Sequence, residues 1–251
     1  MLDWLLSPID PDRAHDVGVY VSWHARLMVV AWAGLAPVGV LGARFFKIWP
    51  GQDWPRELDN QNWWILHRFC QYGAVTLSFI ALGLLLLSQP LLFAFGHPHA
   101  FIGWSVVLFA LFQVAGGLMR GTKGGPTDID LRGDHYDMTS RRVVFEYIHK
   151  YLGYATLACA VAAVVSGLWQ ANAPRWMWGV IGIWWTVLII AFAYFQRQKM
   201  AIDTYQAIWG SDEALPGNSL KPIGIGVARP DEAKQTPETL DTAKSMVADR
   251  T

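Results

Sequence analysis

The sequence predicts an all-α integral membrane protein: five transmembrane helices, four of which surround a shared core. Three observations predict this class. Apolar residues make up 53% of the chain and charged ones only 16%, well below the quarter or so usual in soluble domains. Five long runs are almost free of charge, and from Ala100 to Met119 there is none at all. Such a run of about twenty residues, rising 1.5 Å each, covers about 30 Å, the thickness of a bilayer's hydrocarbon core. Finally, fourteen Trp are too many for an ordinary core and suit the aromatic belts at membrane interfaces.

Residues 1–22 read as a leader on one side of the membrane. Asp3, Asp10, Asp12 and Asp16 stand where a cleavable signal would be basic. Trp4-Leu5-Leu6 either lies at the interface or belongs to a partly ordered polar segment. The first span runs from Leu27 to Ala43 and ends at Arg44-Phe45-Phe46-Lys47. Its Pro37 is tolerable where neighbouring helices satisfy the freed carbonyl. A polar loop over 48–62 leads to the second span, Trp63 to Leu87, which Ser88-Gln89-Pro90 breaks. The third span follows Gly96 and stops at Arg120. A long hydrophilic loop over 120–142 precedes the fourth, Val143 to Leu168, with Thr139 or Ser140 as its cap. Gln170 to Pro174 makes a turn into the fifth, Trp176 to Phe195. The membrane domain is thus 23–196. The polar, Pro- and Gly-bearing remainder, 197–251, is expected to be a largely mobile tail, with Tyr194 to Trp209 extending the last helix along the surface.

Basic residues near the span ends are strongly asymmetric. The amino-terminal side carries Arg13 and Arg175, with Arg26 at the boundary. The other side carries Arg44, Lys47, Arg56, Arg68, Arg120, Lys123, Arg132, Arg141, Arg142, Lys150, Arg197 and Lys199. The positive-inside rule then places the amino terminus outside and the tail in the cytoplasm, the expectation for a bacterial inner membrane. The formal net charge is zero and no basic stripe occurs, so no nucleic-acid partner is expected. Cys70 and Cys159 both fall inside spans, which argues against a disulfide framework. The absence of Cys-x-x-Cys-His excludes covalent c-type haem.

Four spans open at or beside a histidine: His24, His67, His99 and His149. Successive spans alternate direction, so His24 and His99 share the outer side and His67 and His149 the inner. An imidazole at this depth is costly unless partnered. An iron porphyrin between each pair supplies such a partner: imidazole nitrogen suits iron, and the flat macrocycle fills the space between four helices. Gly103 and Gly153 follow His99 and His149 by four residues and would leave room for the ring. His97 is the alternative to His99 but lacks that glycine. A transition-metal permeation site is the competing chemistry and would cluster histidines with carboxylates at one level. Arg44, Arg68, Arg120 and Lys150 stand near the inner level, either to neutralise haem propionates or to anchor helices at headgroups.

The segments His24-Ala-Arg-Leu-Met-Val-Val-Ala-Trp, Gly42-Ala-Arg-Phe-Phe-Lys47, His99-Ala-Phe-Ile-Gly103 and His149-Lys-Tyr-Leu-Gly153 resemble the cytochrome b561 superfamily. They are most similar to its membrane module in proteins that join it to a DOMON domain. The resemblance covers about residues 20–195. It implies two non-covalent b-type haems, held by His24 with His99 and by His67 with His149, that carry electrons across the membrane. Classical members have six spans where five are counted here, and neither a DOMON domain nor a match for the tail is seen. Ascorbate, quinol and a redox protein therefore all stand as donor or acceptor. Two alternatives accompany this reading: the cytochrome b subunit of a quinol-linked membrane complex, and a non-catalytic structural subunit. Residues 120–142 and the tail would then meet partner subunits.

Two further motifs are weak. Asp128 to Asp137 alternates acids with a glycine, but Arg132 and Thr139 occupy positions where a calcium loop needs oxygen ligands. Ion pairs with Arg141 and Arg142 are the expected use of those acids. Gly121-Thr-Lys-Gly-Gly125 lacks phosphate-loop spacing.

Overall fold

The computed structural model describes residues 1–88, 97–130 and 132–230. A short helix, α1 (Leu2–Leu6), is followed by five helices long and apolar enough to cross a membrane. These are α2 (Val19–Phe45), α3 (Asn62–Ser88), α4 (Pro98–Met119), α5 (Ser140–Gln170) and α6 (Arg175–Arg197). A last short helix, α7 (Thr204–Trp209), lies beyond them. The protein is therefore all-α with five spans. Helices α2 and α5 outrun the apolar segments that mark them by several residues, because polar and charged residues add turns at the interfaces, whereas α3, α4 and α6 match theirs to within a residue or two at each end. Thr139 caps α5, its hydroxyl accepting from the Arg142 amide at 3.4 Å. The break expected at Gln89–Pro90 lies outside the described residues.

Pro37 decides the local shape of α2. It has no N–H to give the carbonyl of Ala33, and the preceding turn, Val30–Leu35, widens to a π-helix. The Ala33 carbonyl is satisfied from outside: the Trp184 indole of α6 donates to it at 2.7 Å. The fifth span thus completes the backbone bonding of the first.

The four histidine-bearing helices form two close pairs, α2 with α3 and α4 with α5, which touch each other far less. Gly39 sets the first approach, since a Cβ there would stand 2.7 Å from the Cβ of Cys70. The two pairs meet at a waist of mostly small residues, Ala31, Ala36, Ala74, Val106, Ala110 and Ala160, with Trp32 among them. Trp32 is buried, and its indole donates to Ser78 Oγ at 2.9 Å.

The two ends differ. At the amino-terminal end, residues 1–17 are pinned to the α5–α6 turn. Asn172 donates to the carbonyls of Asp10 at 3.0 Å and Arg13 at 2.6 Å, and Arg175 N donates to Ser7 O at 3.1 Å. At the other end three segments fold together. The Ala207 carbonyl accepts from Asp59 N at 3.4 Å, and Tyr205 Oη donates to the Tyr136 carbonyl at 2.8 Å. Residues 198–230, expected to belong to a mobile tail, are held against the bundle here. Ala201, Tyr205, Ala207, Ile208 and Ile223 are all buried. The last helix does not run on to Trp209; α6 ends at Arg197, and the chain turns before α7. Residues 231–251 lie outside the described residues.

Candidate functional site

His24 stands in the second turn of α2 and His99 in the first turn of α4. Their ring centroids are 6.4 Å apart with planes at 87°. At the opposite end His67 of α3 and His149 of α5 have centroids 6.1 Å apart and planes at 76°. His97 is the exposed N-cap residue of α4, and its ring makes neither contact. His15 is bonded to the Ala171 carbonyl at 2.7 Å.

Three of the four rings are oriented by main chain from another helix. His24 Nδ1 donates to Ala81 O at 3.2 Å, His67 Nδ1 to Gly39 O at 3.1 Å and His99 Nδ1 to Ala163 O at 3.0 Å. A carbonyl only accepts, so each Nδ1 carries the hydrogen and leaves Nε2 with its lone pair. This is the second-sphere arrangement that orients a ligating histidine. The same bonds measure the separation of the two levels. Ala81 lies fourteen residues beyond His67, Ala163 fourteen beyond His149, and Gly39 fifteen beyond His24. At 1.5 Å per residue each interval gives roughly 21–22 Å along the helix axis.

Each pair has two imidazoles, and among the described residues no group of three or more His, Cys, Asp or Glu side chains is placed to hold a metal ion. Two ligands are too few for a bare transition metal. They would suit a metal that brings further ligands of its own. An atom about 2 Å from one nitrogen of each ring separates the centroids by roughly 6 Å, the spacing found at both levels.

The glycines near the paired rings differ in how closely they are approached. A Cβ on Gly103 would meet nothing within 4 Å, and one on Gly153 would meet Gln113 Nε2 at 3.4 Å. The tight position is Gly167 on α5, where a Cβ would stand 2.9 Å from His99 Cε1. It lies far from His99 in the chain, and no local pattern marks it.

The four basic residues also separate. Arg44 is buried and donates to Tyr154 Oη at 2.6 Å, Gln196 Oε1 at 2.8 Å and Ile225 O at 2.6 Å. Lys150 donates to Glu146 Oε2 at 2.6 Å and Ile223 O at 2.9 Å. Both are thus engaged with protein. Arg120 instead lies over the Trp64 ring at 4.1 Å, with Arg68 at 5.8 Å from the same ring. Neither pairs with a carboxylate among the described residues. Trp64 in turn stacks on His67 at 6.2 Å.

Glu146, inside the fourth span, is the residue that a reading by apolar runs passes over. It is buried, with Arg142 Nη2 at 3.0 Å on Oε1 and Lys150 on Oε2. His135 Nε2 approaches its Oε1 at 3.6 Å. The loop acids do not pair with Arg141 and Arg142 as expected. Asp137 takes Arg132 at 2.8 Å, Asp134 takes Thr139 at 2.9 Å, and Arg141 caps the Met119 carbonyl at 2.8 Å. Helix ends and a buried acid compete successfully for those guanidiniums. Burial pushes His135 down to about 3 and Lys47 down to about 7. Lys47 is coordinated by carbonyls, Ile202 O at 2.9 Å and Arg44 O at 3.5 Å.

The fold is that of a five-span helical membrane protein with a pair of imidazoles near each end of its bundle. The chain is a distant homologue of cytochrome b561-domain and ferric-chelate reductase proteins. It is 23% identical over 201 residues to a cytochrome b561, DM13 and DOMON domain-containing protein of Arabidopsis thaliana, covering 78% of this chain and 20% of that one. It is 25% identical over 211 residues to a putative ferric-chelate reductase 1 homologue of Drosophila melanogaster, covering 79% and 29%. With the ferric-chelate reductase 1 of Bos taurus the identity is 30% over 151 residues, covering 58% and 22%. The chain therefore spans only about a fifth to three tenths of the length of these relatives. No family model matches it, and no solved structure matches it significantly.

Proposed function

We propose that the chain moves electrons across a membrane through two b-type haems, one of which His24 and His99 would hold and the other His67 and His149. The observation that carries this reading is the repeated imidazole spacing, 6.4 Å at one level and 6.1 Å at the other. When bound, haem would supply a reversible one-electron carrier, and a histidine pair at each site would favour electron transfer over oxygen chemistry. The protein's part is placement: carbonyls of neighbouring helices aim Nε2 of three rings, Gly167 clears the His99 ring, and a dry waist separates the two levels. Arg68 and Arg120, both free of carboxylates among the described residues, are the cations proposed for the inner propionates. Arg44 and Lys150 serve the packing of residues 198–230.

The excess of Lys and Arg on that side supports a cytoplasmic location for it. The names of the relatives support a redox role, with a ferric chelate as one acceptor class. Ascorbate and quinol are the donor classes to compare.

The test is haem content. Pyridine haemochrome should give two haems per wild-type chain. His24→Ala and His99→Ala should each remove the same haem, and His67→Ala and His149→Ala the other. A protein made with ample haem supply that stays colourless, or a His24→Ala variant that keeps both haems, would overturn the assignment.

A further inference from the structure

The four paired rings are not supported alike. His24, His67 and His99 direct Nδ1 to main-chain carbonyls, whereas His149 Nδ1 is buried with no hydrogen-bond partner. Its ring is instead stacked on Phe145 at 5.1 Å and 30°. A buried ring nitrogen without a partner calls for an explanation. One turn earlier on the same helix face stands Glu146, and residues three apart have Cβ atoms about 5–6 Å from each other. Its carboxylate is the one acid buried in a membrane-spanning helix among the described residues.

The surroundings of this acid are cationic. Arg142 and Lys150 bond it directly, and Arg44 and Lys47 are buried at the same end of the bundle. The position of Lys150 is in turn fixed from residues 198–230, because its ammonium also donates to Ile223 O at 2.9 Å. The outer pair has no counterpart: no carboxylate is buried in the spans near His24 or His99 among the described residues. A fixed negative charge beside only one of two like sites must separate their electron affinities. Adding one electron makes the site one unit more negative, and at low dielectric that change is felt strongly over this range.

We propose that Glu146 tunes the inner site: its carboxylate, one helical turn from His149 and balanced by Lys150, holds the inner site's potential below the value its cationic surroundings would otherwise set. The proposal rests on His67 and His149 being the inner ligand pair. The step concerned is the uptake of a single electron by that site from a donor, with no bond made and no proton required. The side chain shapes the equilibrium without touching the reacting atoms.

The experiment is an optical redox titration of the full-length, haem-loaded protein. The wave that survives in His24→Ala is the inner one. Glu146→Gln is expected to raise that wave by about tenfold in the reduced-to-oxidised ratio at a fixed potential, equivalent to about 59 mV for one electron. The outer wave should stay in place, and Glu146→Asp, which keeps the charge, should lie near wild type. Lys150→Met should move the inner wave in the opposite direction, and it decides the matter if Glu146→Gln does not fold. An inner wave unmoved in a haem-loaded variant, or an outer wave that moves equally, would overturn the proposal while leaving the ligand pairs intact. A wild-type protein without haem would instead sink the ligand assignment, and this proposal with it.

Discussion

Gly167 and His99 meet across two helices, and their contact leaves almost no tolerance. The ring sits between α4 and α5 because its Nδ1 donates to Ala163 O, which places Cε1 and Nδ1 against the bare Cα of Gly167. A Cβ there would lie 2.9 Å from Cε1 and 3.2 Å from Nδ1, inside ordinary contact distance. Gly167→Val is therefore expected to displace the His99 ring and remove one haem, the same one lost in His99→Ala, while the other stays at full occupancy. Haem quantification and the reduced spectrum check this; two retained haems would show that the contact is not needed. The four histidines were legible from the sequence because each opens an apolar run and helix direction alternates. Gly167 was not, since its neighbour is a whole span away. Gly103 and Gly153 were singled out by a spacing along one helix, and neither is crowded by the described residues. A spacing rule records one helix and carries no information about what stands opposite.

At the scale of elements, the five spans were readable because bilayer thickness imposes a length and a composition on each. Residues 198–230 were not. Their contacts with the bundle run through main-chain carbonyls, Ile202 to Lys47, Ile223 to Lys150 and Ile225 to Arg44. A carbonyl is present at every residue, so side-chain patterns cannot mark which ones are used. The contact of this segment with the 120–142 loop contains a pH response. His135 is fully buried against Tyr205 and Trp209, and neither of its ring nitrogens has a hydrogen-bond partner. Its value falls from 6.5 in the unfolded chain to about 3 in place. The folded segment thus binds fewer protons than the unfolded one between those limits, and stability present above 6.5 is lost as the pH falls toward 3. Lys47, lowered from 10.5 to about 7, acts in the same sense at higher pH and adds stability as the pH rises through that window. Protease cleavage within 199–230 is expected to accelerate between about pH 7 and about pH 5, by at most about tenfold per pH unit for one group. His135→Phe, apolar and of similar shape, should flatten that response. Equal acid sensitivity in the variant would assign the effect elsewhere.

For the whole molecule, the two levels of imidazoles stand roughly 21–22 Å apart along the helices, and the ends of the bundle are closed differently. At the amino-terminal end, residues 1–17 are tied to the α5–α6 turn, leaving His99 half-buried beside the helix entry and the exposed His97. At the other end, the segment that packs on Arg44, Lys47 and Lys150 covers one flank of the His67–His149 pair. The flank bearing Trp64, Arg68 and Arg120 is more open, with Arg68 and Asn62 exposed. Trp64, on that flank, stacks on His67. Under the proposed function the pair His24–His99 is a required second station, since a single site near one end cannot bridge the waist. In proteoliposomes loaded with ascorbate, the wild-type protein is expected to reduce an impermeant ferric chelate outside. His24→Ala and His67→Ala should each abolish this while keeping one reducible haem, and Trp64→Leu should slow reduction from the Arg120 side alone. Transfer that persists in His24→Ala would mean that electrons leave by a route other than the outer pair. Reduction by quinol in the bilayer, with none by ascorbate, would place the donor in the membrane and the chain in a quinol-linked pathway.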